Sequence, residues 1–151
     1  MKKFRFRLER VLNYRAQVEK QKQIALSEVH QLVVDHEQKL IDAYRVLEGA
    51  RDELRRDASA GDMDITKVKE QRVYIGLLKR RVSDVLKRLR RLEIELAQKR
   101  EEAVQARKER KVLEMVKTRR RAEHVKEVSR AERVELDDIA NKKEVLKRTA
   151  S

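Results

Sequence analysis

Three histidines and no cysteine limit the chemistry this chain could attempt. His30 and His36 stand six residues apart, on different faces of a helix, and His124 is remote from both. A helical metal pair wants His at i and i+4, so these spacings point to no metal. Asp62-x-Asp64-x-Thr66 opens like a calcium loop. That loop needs Gly at its sixth position and Glu at its twelfth, where this chain has Lys67 and Val73. Asp62 and Asp64 fit the capping of a helix N-terminus instead. A nucleophile would have to be Ser, Thr or Lys beside a base, and no such set stands out. The residues therefore read as a non-enzymatic chain with no metal and no cofactor.

Basic side chains are the other chemical resource. Lys plus Arg number 40 against 27 Asp plus Glu, a formal net charge of +13. Residues 1–64 hold 13 basic and 12 acidic side chains, residues 65–100 hold 12 and 4, and residues 101–151 hold 15 and 11. The excess thus belongs to the second part of the chain, densest from Lys79 to Arg91. Lys79-Arg80-Arg81 and Arg119-Arg120-Arg121 could hold phosphates electrostatically. No aromatic interleaves them for base stacking and no nucleic-acid motif accompanies them. Glu93 and Glu95 near Lys99 suggest a solvated, charge-laced helix face. No specific nucleic acid is expected, and a membrane surface would be offered only charge.

These residues must be positioned by helices. The chain has no Pro, only three Gly, 44% charged residues and 3% aromatics. Few Gly and no Pro leave few places to turn and argue against a sheet. The N-terminal Met1-Lys2-Lys3 has no apolar run behind it, so it does not read as a secretory signal. From Leu8 to Asp57 apolar residues recur at helical steps, along a line through Val11, Arg15, Val18, Lys22, Ala25, Val29 and Leu32. The line continues through Leu40, Ala43, Leu47, Ala50 and Leu54. His36 falls on it, and the steps from Leu32 to His36 to Leu40 imply one stutter. Residues 58–64 gather Ser, Gly and Asp, so Gly61 suits a turn position with positive φ. From Ile65 a cleaner stripe runs Ile75, Leu78, Val82, Val85, Leu89, Leu92 and Leu96. It goes on through Lys99, Ala103, Ala106, Arg110 and Leu113 in alternating steps of three and four.

The fold class expected is all-α, a long antiparallel two-helix coiled-coil hairpin whose second helix is the longer. Residues 1–57 form the first arm, 58–64 the tip turn, 65–115 the paired second arm and 116–151 an overhanging basic tail. Residues 8–57 span about 75 Å of helix and residues 65–146 about 123 Å. The stripe in the tail, Val125, Val128, Leu136 and Ile139, then lacks a partner. Such a chain should behave as an elongated monomer. Of five aromatics, Phe4, Phe6 and Tyr14 sit at the N-terminus. Tyr44 and Tyr74 flank the turn at similar distances, with Leu40, Leu47 and Leu78 as neighbours. Aromatics favour interfaces, so Tyr44 and Tyr74 are either partner anchors or internal packing.

Phe4-x-Phe6-x-Leu8-x-x-Val11-Leu12-x-x-Arg15 resembles the N-terminal pattern of the bacterial flagellar export FliJ family. Arg107-Lys108-Glu109-Arg110-Lys111-Val112-Leu113-Glu114 is similar to that family's basic stretch in the second helix. The resemblance implies a coiled coil like the central stalk of rotary ATPases, at the cytoplasmic face of the bacterial inner membrane. It implies a terminal half that enters the hexameric flagellar export ATPase, with Phe4, Phe6, Arg107, Arg110, Arg119, Arg120, Arg121, Val125 and Val128 as contact candidates. It implies contact with the cytoplasmic domain of the export-gate membrane protein through Tyr74 and Leu78. Arg81 stands where that patch would have a small apolar residue. Tyr44, Leu40 and Leu47 join the gate candidates as neighbours, and export chaperones are further implied partners. Two other readings stay open: a basic coiled coil that binds nucleic acid or ribosomes, and a plain coiled-coil tether or homodimer.

Overall fold

Side chains spaced alternately three and four residues apart form one stripe of a helix and bury only against a second stripe. The computed structural model, which describes residues 3–61 and 64–150, meets that need with two helices. α1 runs Glu9–Ser59 and α2 runs Ile65–Thr149. They pack as an antiparallel hairpin with the second helix longer, and the described residues contain no strand. Among them no helix is long and apolar enough to cross a membrane. The contacts divide into two compact units, one of residues 20–104 and one of residues up to 19 with those from 105 on.

In the unit of residues 20–104 the seam holds two apolar clusters. Val29, Val33, Leu89, Leu92 and Leu96 form one, with Leu26 and Leu40 packed against it. Ala43, Leu47, Ile75, Leu78 and Val82 form the other, with Leu40, Ala50 and Leu54 at its margin. Leu92 is 1% exposed, the most buried of the described residues. Burying such a side chain contributes about 1.5–3 kcal/mol. Leu32 is not part of this seam: it is 43% exposed, whereas Val33 is 6% exposed. Counting Val29, Val33, His36, Leu40 keeps the steps at four, three, four, so the stutter expected at His36 is absent. His36 is half-buried on the seam, and its Nδ1–H donates to the Leu32 carbonyl at 2.9 Å. A carbonyl can only accept, which fixes the proton on that nitrogen.

The turn is built by local chemistry. Gly61 has φ 73°, a conformation that a Cβ disfavours. Asp64 Oδ1 accepts the Thr66 N–H at 3.0 Å, and its carbonyl accepts the Val68 N–H at 3.0 Å. That is an N-cap for α2. Asp62, the other cap expected from sequence, lies outside the described residues. Asp57 ties the end of α1 to the start of α2, accepting from Gln71 Nε2 at 2.6 Å and pairing with Lys67 at 3.2 Å. The α1 end continues past it, with Ser59 Oγ donating to the Arg55 carbonyl at 2.8 Å and Ala60 N–H to Arg56 at 3.1 Å.

In the other unit the seam is more polar. Leu12 and Ala106 are buried, and Val11, placed on the stripe by its apolar character, is 42% exposed. Counting Leu12, Arg15, Glu19 keeps the alternation and turns Val11 outward. Arg15 pairs with Glu109, Glu19 with Arg110, and Glu9 with Lys117 at 2.8 Å. Phe6 is buried, and its carbonyl accepts the Glu9 N–H at 3.2 Å as the chain enters α1. Phe4 packs on His124 with ring centroids 5.6 Å apart. Val128 is half-buried, and every described residue after it is exposed.

Candidate partner-binding surfaces

Three surfaces remain once the seam is satisfied. The first lies on the outer side of α2 near the turn. Helical spacing puts Val73, Tyr74 and Leu77 on one patch, 67%, 51% and 59% exposed, beside Lys69 and Glu70. Tyr44, also proposed from sequence, is exposed on α1. Leu47 and Leu78 are buried in the seam and Leu40 is half-buried there. Leu78 also floors a groove with Val46, Arg81 and Val85, separate from the patch around Tyr74. The structure therefore joins Leu78 to Arg81 but sets Tyr74 with Val73 and Leu77. Sequence reasoning passed over Leu77. Its neighbour Leu78 was the one on the heptad count, and the same count predicts that Leu77 points out.

The second surface is the cationic face of α2 from Lys79 to Arg91. Lys79, Arg80, Arg81, Lys87, Arg88, Arg90 and Arg91 are all exposed, and among the described residues none forms an ion pair. Charge here is not spent on intrahelical partners as it is elsewhere. Lys99, for comparison, pairs with Glu102 at 3.5 Å, and Glu102 also accepts from Lys22 at 3.0 Å. The hydrogen bond from Lys22, aided by Lys99, holds the Glu102 carboxyl below its ordinary range.

The third surface is the C-terminal part of α2. Arg110 is half-buried and fully engaged, because Glu19 first and Glu114 second hold its guanidinium firmly protonated. Arg119 pairs with Glu123 at 3.2 Å, whereas Arg107, Arg120 and Arg121 are exposed without an ion pair among the described residues. Phe4 and Phe6 are packed against their own unit. Beyond them Val125, Leu136, Ile139 and Leu146 are 57%, 65%, 52% and 67% exposed. A two-helix seam that stops leaves the longer helix with an uncovered stripe. Isolated helix of this kind frays unless covered.

Among the described residues no three His, Cys, Asp or Glu side chains converge as a metal site. The arrangement offers surfaces for contact. No curated protein and no solved structure matches the chain significantly. The family model described as Flagellar FliJ protein matches residues 4–145, from the aromatic that meets His124 to near the end of α2. With nearly the whole chain matched and a two-helix hairpin built from it, the chain belongs to the flagellar FliJ family, components of the flagellar export apparatus.

Proposed function

We propose that the chain is a non-enzymatic coupling subunit that links the hexameric export ATPase to the cytoplasmic domain of the export-gate protein. In this reading it works at the cytoplasmic face of the inner membrane and also receives export chaperones. The observation that carries it is the uncovered apolar stripe from Val125 to Leu146 in a chain of this family. An apolar stripe at helical spacing is what a partner helix or pore wall covers. Arg120 and Arg121 add unpaired positive charge at its start, which would speed encounter with an acidic pore. The Val73, Tyr74 and Leu77 patch supplies a second anchor, suited to the gate. The test is capture of the export ATPase by the full chain and by a chain ending at Val128. The full chain should retain it and the truncated chain should not; equal capture by both would refute the assignment.

A second reading has one observation in its favour, the unpaired cationic face from Lys79 to Arg91. Such a face would also bind duplex nucleic acid through its phosphates. A salt series distinguishes them, since six or more phosphate contacts would give a steep loss of affinity with added salt.

A further inference from the structure

We infer that the exposed end of α2 pairs antiparallel with the same segment of a second copy of this chain. Ser129, Glu132, Leu136, Ile139, Lys143 and Leu146 share one stripe, with steps of three and four throughout. All six are exposed. The order along the stripe is acid, two apolar residues, then base. Glu132 stands four positions before Leu136, and Lys143 four positions after Ile139.

Reversing this stripe maps acid onto base. With Leu136 opposite Ile139 of the second copy, each Glu132 faces Lys143 of the other chain, and Leu146 faces Ser129. Glu135 and Lys142 flank the stripe on the same side and meet each other's counterparts in the same register. A parallel pair would instead set Glu132 on Glu132 and Lys143 on Lys143 inside the seam, which is repulsive. The charges are also free to do this. Among the described residues Glu132, Glu135, Lys142 and Lys143 form no ion pair within the chain, while the adjacent Glu144 is engaged with Arg148 at 2.8 Å. Eighteen residues with few apolar layers make a small interface, so association is weak and concentration-dependent. The expected monomer is then the dilute form. The pairing covers the stripe assigned above to the ATPase, so, resting on that assignment, self-pairing and ATPase binding exclude one another.

Sedimentation equilibrium of the full chain alone tests the pairing, so its failure leaves the ATPase assignment untouched. At low salt the mean mass should rise with concentration from 18.0 kDa toward twice that value. Glu132→Lys or Lys143→Glu alone should weaken association at least about tenfold, through like charges facing across the seam. The double variant Glu132→Lys with Lys143→Glu should restore it, with helical content unchanged in all three. Mixing Ser129→Cys and Leu146→Cys chains should give the mixed disulfide in preference to either symmetric one. A monomer at every concentration, a double variant that stays weak, or dominant symmetric disulfides would each overturn the proposal.

Discussion

Arg110 of α2 donates from Nε to the Glu19 carboxylate of α1, and Glu19, 7% exposed, is the one buried charged residue among those described. Arg110 also reaches Glu114 on its own helix. A buried ion pair of this kind breaks even at best against apolar packing, yet removing one partner strands a charge. Arg110→Leu should therefore lower the thermal midpoint by several degrees. Glu19→Leu with Arg110→Leu should return it to the original value or above. Circular dichroism melts of the three chains check this. A double variant as unstable as the single one would mean that the pair itself supplies the stability.

Two glycines should respond in opposite directions. Gly61 sits at φ 73°, where adding a Cβ costs about 1–2 kcal/mol although nothing lies within 4 Å of it. Gly49 sits inside α1 with ordinary helical geometry and open space around it. Gly61→Ala should destabilise by about 1 kcal/mol and Gly49→Ala should stabilise by about 0.5–1 kcal/mol. Chemical denaturation of each variant reads both signs.

Much of this architecture was legible in the residues, and the misreadings share one cause. Leu92, Leu96 and Ala103 bury where the strict alternation on the second arm puts them. On the first arm the seam runs through Leu12, Glu19, Leu26 and Val33, where the line favouring apolar side chains ran through Val11, Val18, Ala25 and Leu32, and the two share Arg15, Lys22, Val29 and His36. The heptad count is the better guide there, because a long charged side chain can lie along a narrow seam with its head near solvent. Buried Glu19 carried no apolar signal, but its position in the three-four count did mark it. The turn was readable because Gly and Asp chemistry is local. Partner surfaces were less so: whether Leu77 or Leu78 faces out depends on the seam's phase, which Leu47 and Leu78 settle together.

Acid should loosen the turn end of the hairpin. The Gln71 amide, and then Lys67, hold the Asp57 carboxyl below its ordinary value. A carboxyl depressed in the folded state contributes stability above its unfolded value, near about pH 4, and loses it as pH falls through the lower folded one. The protection of amides 54–60, taken relative to their intrinsic exchange rate at each pH, should stay constant from neutral pH down to about pH 5 and then fall relative to the seam at Leu92. Asp57→Asn should abolish that local acid step. A step that persists in the variant would assign it to another group.

The patch near the turn and the seam beneath it should separate by mutation. Tyr74→Ala with Leu77→Ala removes exposed side chains, and surface changes of this kind stay within about 0.5 kcal/mol. Leu78→Ala empties a buried seam position and should cost about 2–3 kcal/mol. Binding to the gate domain should weaken in the first variant at unchanged stability. Intact gate binding in that variant would remove the patch from the interface.

The most direct test of the coupling account is hydrogen exchange of the full chain, alone and with the export ATPase. Alone and dilute enough to be monomeric, amides after Val128 should exchange far faster than those around Leu92, since no second helix covers them. With the ATPase present, residues 129–149 should become protected while the seam of residues 20–104 stays unchanged. Protection confined to residues 20–104, with the end of α2 still exchanging freely, would contradict the account.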